Sequence, residues 1–332
     1  ESPARVRRTR RTRATPEGPV LVTTGTLLTP STAPAPRRRG LRSWYRRGGL
    51  ASIFFALPVI LVFAYFSWGP IARGLTMSWQ KTNLVDPASW VGWANFEYVL
   101  QNPLLGQAAL NTVWFVVLGL LIGFPLPLFL AVFISELRGT KPIYSVLSYL
   151  PVVIPPVVAI LLWKVFYDAS PTGVFNTILG WVGIGPLPFL NSPTMAMPSL
   201  VLESTWASAG STVIIYLAAM ASVRGELYEA AELDGAGIWR KIWSITLPQL
   251  RGVILIVLLL QIIGTTQVFA EPFLFTGGGP NNATTTILLL IFNYAFVFGD
   301  YGAASALSAL LAAVLAVVSI VYFWATRRWS DA

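Results

Sequence analysis

Along this chain, long runs without charge alternate with short polar islands. About 20 consecutive apolar residues cross the hydrocarbon of a bilayer as a helix. On that criterion spans are predicted at about 48–72, 108–135, 143–167, 194–223, 250–272 and 302–326. Two other apolar runs are too short: 174–185 reads as a surface helix, and 286–298 as an interfacial helix rather than a crossing one. Pro125 and Pro127 predict a kink in the second span, and Pro151, Pro155 and Pro156 fall inside the third. Between spans one and two lies a polar segment with Trp79, Trp90, Trp93, Asn95 and Phe96, whose aromatics suit a membrane interface. Another polar segment, 168–193, is rich in Gly and Pro, and 276–285 reads Thr-Gly-Gly-Gly-Pro-Asn-Asn-Ala-Thr-Thr, a turn. The fold class is therefore an all-α polytopic membrane protein with six transmembrane helices.

Composition agrees: 55% of the 332 residues are hydrophobic and 11% charged, against roughly 25% charged in soluble domains. There is no cysteine and no histidine, which excludes disulfides, thiol chemistry, His-based triads and His metal sites. No Gly-x-x-x-x-Gly-Lys-[Ser/Thr] loop occurs, so if ATP drives this protein another subunit binds the nucleotide.

Charge then orients the spans. Of the 23 basic residues, twelve precede residue 48. Ahead of a first span such an excess holds the N-terminus inside and does not call for nucleic acid as a partner. Residues 1–47, with arginine clusters at Arg5–Arg13 and Arg37–Arg39 and a Pro/Thr/Ala-rich spacer, are expected to be a disordered cytoplasmic tail. With six spans only Arg73, Lys81 and Lys164 lie at or beyond the outer surface, and both termini, including the short tail 329–332, are cytoplasmic. Were 286–298 to cross as well, Arg327 and Arg328 would lie outside, against the positive-inside trend.

The most informative island is the loop 224–249, which holds four of the 14 acids: Glu226, Glu229, Glu232 and Asp234. It reads as a short helix entered at Gly225, a sharp turn at Gly235 and Gly237, and a second short helix. Pro248 is expected to stop that helix or open the next. Early carboxylates suit the positive end of a helix dipole. Ala230 and Ala231 make a small patch that another protein could approach closely. Read without context, this is an ordinary helix lying on the membrane. However, Glu229-Ala230-Ala231, three residues, Gly235, nine residues, then Ile245-x-Leu247-Pro248 resembles the EAA loop of ATP-binding-cassette importer permeases at its usual spacing.

The resemblance extends over roughly residues 50–328. Phe275 to Pro280 is similar to the Leu-Thr-Gly-Gly-Gly-Pro turn of sugar-importer permeases. Asp300 to Ala306 is similar to that subfamily's Gly-Tyr-Ala-Ser-Ala opening of the last span, with Ala303 as a departure. Glu226 to Ala236, including Asp234, fits the sugar subfamily better than the peptide, amino-acid or phosphate ones. The likeness implies a type I importer permease fold with a cytoplasmic coupling helix, in a bacterial inner or plasma membrane. It implies a second permease, usually a different chain, two cytoplasmic ATPases holding ATP and Mg, and an extracytoplasmic solute-binding protein. No cofactor is implied for this chain, whose other partners are the sugar and membrane lipid. In that scheme Glu229 anchors the loop in an ATPase groove, Ala230 and Ala231 permit close packing, and Gly235 sets the turn.

Polar groups inside spans are costly and tend to face cavities or partner helices. The candidate substrate path is therefore Glu203 and Trp206 in span four, with Gln261, Thr265, Gln267 and Glu271 in span five. Trp206 and Gln267 lead, because amides pair with hydroxyls and aromatic faces stack on sugar rings. The alternatives are that these groups bond neighbouring helices, or that Glu203 and Glu271 lie near the outer water. At the level of function the alternatives are a permease for a non-sugar solute such as glycerol-3-phosphate or a polyol, a secondary carrier, or a membrane enzyme.

Overall fold

The computed structural model describes residues 49–137 and 139–330. The expected tail 1–47, Arg138 and the last two residues lie outside them. Contacts divide the chain at residue 61. Five helices are long and apolar enough to cross a membrane: Ser52–Met77, Pro103–Glu136, Ala196–Ala221, Ile238–Thr266 and Tyr301–Arg327. The pair Lys141–Val153 and Pro156–Phe166, bent by 94°, makes a sixth if it is counted as one broken span.

That bend corrects the expectation of an unbroken third span. Pro155 has no N–H, and a residue before proline is pushed out of the helical region. Ile154 and Pro155 accordingly have ψ of 128° and 132°, both extended. Other prolines are absorbed without a break. Wide π-turns precede them at Ala64–Trp68, Gly119–Gly123 and Ile242–Thr246, ahead of Pro70, Pro125 and Pro248. The extra residue in a π-turn relieves both the missing donor and the clash of the ring with the carbonyl four residues back. Pro248 stands in the first turn of the α-helix Leu247–Thr266, as an opening residue is expected to, but the π-turn keeps that helix continuous with the preceding one, so span five begins at Ile238 rather than near 250. Spans one and two also run further than expected, to Met77 and from Pro103, and the last helix continues to Ser330.

Helices in lipid associate through close packing rather than through apolar burial. Span four is the packing centre. At Gly210 a Cβ would fall inside the radius of the Ser148 carbonyl oxygen, so only glycine lets these helices meet. Towards the 224–249 loop, Val213, Tyr216, Leu217 and Met220 pack with Ala131, Ile134, Leu250 and Val257. Towards the opposite end, Met197, Leu200 and Val201 join Phe115, Trp163, Tyr167, Phe189 and Phe275.

The short helix Ile287–Val297 falls below the length of the candidate spans, and it does not lie on a surface. Ile287, Leu290 and Tyr294 are buried against Phe96, Val99, Ala303, Ala306 and Leu307. Gly302 makes the same junction possible, since a Cβ there would collide with the Gln80 carbonyl oxygen. Gln80 and Lys81 pair antiparallel with Trp90 and Ser89, and Trp79 stacks on Trp90 at 6.3 Å. The expected surface helix 174–185 is shorter, Val174–Gly180. Its buried Asn176 donates to the carbonyls of Asp168, Ser170 and Leu187 and accepts from the Leu187 N–H.

Candidate functional site

Two regions hold the predicted site residues. The first is the loop between spans four and five. After Ala221 the chain turns through Arg224, in extended backbone with ψ 124°, into the helix Gly225–Leu233. The helix ends in a Schellman motif. The Gly235 N–H donates to the Glu232 carbonyl at 3.0 Å, and the Ala236 N–H to the Ala231 carbonyl at 2.8 Å. This motif needs a left-handed residue at its hinge, and Gly235 supplies it with φ +73°. Gly237 does not share that task, contrary to expectation: its φ is −69° and it caps the next helix in extended backbone.

One side of this helix is braced against span five. The Tyr228 and Thr246 hydroxyls lie 2.9 Å apart, and Lys241 Nζ meets Glu232 Oε1 at 2.7 Å. Tyr228 and Glu232 are four apart and so share a face. The other side carries Glu226, Glu229, Ala230 and Asp234, all exposed. Among the described residues, the Glu229 carboxylate has neither a hydrogen-bond partner nor a counter-ion. Leu233 beside it is 91% exposed, and Trp239 and Trp243 are largely exposed too. Ala231 departs from the expected patch: it is half-buried and lines a recess of about 440 Å³ with Asp234, Arg240, Ser244 and Ile245. Leu247 is half-buried and Pro248 exposed on the continuing helix.

The second region is a cavity of about 450 Å³ bounded by spans two, four and five. Thr205, Ser204 and Ser208 line it from span four, and Gln261, Gly264 and Thr265 from span five. Gln267 and Glu271 come from the segment after span five, and Gly119 from the π-turn of span two. The π-turn glycines let these groups converge. A Cβ at Gly119 would lie 3.0 Å from Thr265 Cγ2, and one at Gly123 would lie 3.0 Å from Thr205 Oγ1 and 3.2 Å from Gln261 Nε2. Thr265 donates to the Gln261 carbonyl at 2.7 Å, and Gln267 to the Ile263 carbonyl at 3.3 Å. Burial pushes the Glu271 carboxyl above the usual carboxylate range, and a hydrogen bond to its own backbone offsets part of that rise.

Four predicted path residues thus meet, and two do not join them. Trp206 packs on Trp163 at 5.4 Å in the aromatic cluster and does not line the cavity. Glu203 is 1% exposed, which removes it from the outer water, and its Oε2 has no hydrogen-bond partner. Sequence reasoning missed Gly119 and Gly123, although the Gly-x-x-x-Gly spacing inside an apolar span was a signal for close approach.

It also missed how tightly the turn 276–285 is built. Gly277 and Gly278 have φ of +60° and +92°. Asn111 of span two donates to the carbonyls of Asn282 and Thr285, at 2.7 and 2.9 Å. The Thr112 hydroxyl accepts from the Ile287 N–H, and the Thr286 hydroxyl donates to the Val268 carbonyl. Beside the turn opens a second cavity, of about 850 Å³, lined in part by Lys164, Tyr167, Asp168, Asn191, Phe275 and Thr276.

Residues 123–331 match the model of a family described as binding-protein-dependent transport system inner membrane component. The trehalose/maltose transport system permease protein MalF of Thermococcus litoralis is 32% identical over 81% of this chain and 87% of its own length. The arabinooligosaccharides transport system permease protein AraP of Bacillus subtilis is 31% identical over 86% of this chain and 92% of its own. Among solved structures, a chain of a bacterial alginate ABC transporter, in complex with a periplasmic protein bound to alginate pentasaccharide, superposes with a TM-score of 0.75. It is 30% identical and covers 86% of this chain and 98% of that one.

Proposed function

Given that this chain belongs to the inner-membrane components of binding-protein-dependent transport systems, we propose that it forms half of the path of an importer for an oligosaccharide. It is a transport subunit of the ATP-binding-cassette type. Its saccharide-carrying relatives support a sugar over a polyol or a phosphorylated solute.

In this reading the loop 224–249 is cytoplasmic and is gripped by an ATPase subunit, while a second, different permease completes the path. A solute-binding protein delivers the sugar on the other side. Nucleotide-driven closure of the ATPases pushes on the helix Gly225–Leu233. The observation that carries the reading is the two-sidedness of that helix. One face is tied to span five through Thr246 and Lys241, and the other offers Glu226, Glu229 and Ala230 with no partner among the described residues. A lever needs both: a rigid link to what it moves and a free surface for what moves it. Because Ile238–Thr266 is one continuous helix, displacement at the loop reaches Gln261 and Thr265 without crossing a hinge. The permease pair then alternates between inward- and outward-facing states by rigid-body motion.

The test is uptake of labelled oligosaccharide into proteoliposomes holding the assembled complex. Transport is expected only with ATP, both ATPase subunits and the binding protein together. Uptake by this chain without ATPase subunits would overturn the reading.

A further inference from the structure

The cavity between spans two, four and five contains no lysine or arginine in its lining, and its one ionisable wall residue is Glu271. Behind the wall, flanking Ser204 and Thr205, sits Glu203, buried and with an unpartnered carboxylate oxygen. A cation that approaches this region, Lys164, donates to the Leu274 carbonyl at 3.2 Å and lines the other cavity instead.

We propose that this half of the path is a charge filter: Glu271, backed by Glu203, admits neutral or amino-bearing saccharides and rejects those carrying carboxylate or phosphate. The proposal rests on the cavity being part of the path. The remaining lining suits such a ligand. Gln261, Thr265, Thr205 and Ser208 pair with hydroxyls, and Phe115 and Phe269 offer apolar surface to a ring. An anionic sugar would meet like charge with no counter-ion, in surroundings where water screens weakly.

Since the chain has no cysteine, a single thiol can report the local potential without any sugar. Gln261→Cys and, separately, Ser208→Cys are placed in the assembled complex in nanodiscs. Each thiol is reacted with methanethiosulfonates bearing a trimethylammonium or a sulfonate group, and rates are normalised to a free thiol. The cationic reagent is expected to react about thirtyfold faster than the anionic one. This is the Boltzmann ratio between attraction and repulsion by one unit charge about 8 Å away at an effective dielectric constant of about 40. Glu271→Gln should bring the ratio most of the way to one. In parallel, maltotriose and chitotriose should protect the thiol and tri-galacturonate should not. Reactive thiols with a ratio near one, or a ratio that Glu271→Gln leaves unchanged, would overturn the filter and leave the path intact. Thiols that neither reagent reaches would remove the cavity from the path and overturn both.

Discussion

Two glycine turns, one at each end of span five, are built in opposite ways. Gly235 closes a helix in the open: its φ is +73°, and a Cβ there would touch nothing within 4 Å. Gly278 is folded inside a knot: its φ is +92°, and a Cβ there would come within 2.5 Å of Thr285 Oγ1 and 3.3 Å of Leu289 Cδ2. Around Gly235, Glu229, Asp234 and Arg240 are exposed. Around Gly278, Thr284, Thr285 and Thr286 are all buried and hydrogen-bonded within the chain. The first turn holds a surface ready for a partner, and the second holds the protein itself together. Similarity to a family turn flags both equally; only surroundings separate a contact surface from a staple.

Substitutions can break that contrast. The largest effect should come from Gly278→Ala. Overpacking costs about 1–3 kcal/mol, and a left-handed alanine adds about 1 kcal/mol. The thermal midpoint of the purified protein should fall by many degrees, with the expression level falling too. Gly235→Leu should do the reverse. Only the backbone term of about 1 kcal/mol applies, so insertion and folding survive. ATP-driven uptake should nevertheless drop to background, because the added side chain lies where the ATPase must approach. If uptake by Gly235→Leu stays normal, the turn is only a helix end.

A smaller change is expected from Glu229→Gln. The thermal midpoint should not move, since the carboxylate has no partner among the described residues, while affinity for the ATPase subunit, measured by titration, should weaken about tenfold or more. Smaller still is Glu232→Gln, which breaks an ion pair whose acid is exposed. Such pairs contribute roughly 0–1 kcal/mol, so stability should barely move and added salt should erase the difference. The acid at the other end of span five gives a pH signature. Glu271 holds its proton more tightly folded than unfolded. Stability should therefore decline as pH rises above the ordinary carboxylate range, and the decline should be reduced in Glu271→Gln.

Much of the architecture was legible because the bilayer imposes a length on every span. Charge-free runs alone pick out the five long apolar helices and the bent pair, although span five begins twelve residues earlier than its charge-free run. Less legible was how prolines are accommodated. Pro155 is followed by Pro156, whereas Pro248 is followed by Gln249. Pro155 follows Ile154 in extended backbone where the span bends by 94°, while Pro248 follows a π-turn and leaves its helix continuous. The second proline holds Pro155 itself out of the helical region, and a hydropathy profile does not register it.

The coupling loop was legible in outline, since Gly225, Gly235 and the acids stand where a helix and its cap require them. Which alanine faces outward was not. Ala230 and Ala231 are adjacent, so one full turn of context is needed to see that Ala231 faces the recess. Polarity inside the predicted spans singled out Gln261, Thr265, Gln267 and Glu271, which the structure brings to one cavity. It also singled out Trp206, which packs on Trp163 instead, because an aromatic residue reads the same whether it meets a ring of the protein or a ring of a sugar.

The central claim is that the free face of Gly225–Leu233 is held by the ATPase. Ala230→Cys in this cysteine-free chain tests it most directly, with a short thiol–thiol cross-linker applied to the assembled complex in inverted and right-side-out vesicles. The account predicts a cross-link to the ATPase subunit whose yield changes between nucleotide-free and ATP-bound states, and protection from impermeant thiol reagents added outside. Labelling of Ala230→Cys from the outer medium, or cross-linking to no ATPase subunit in either state, would contradict it.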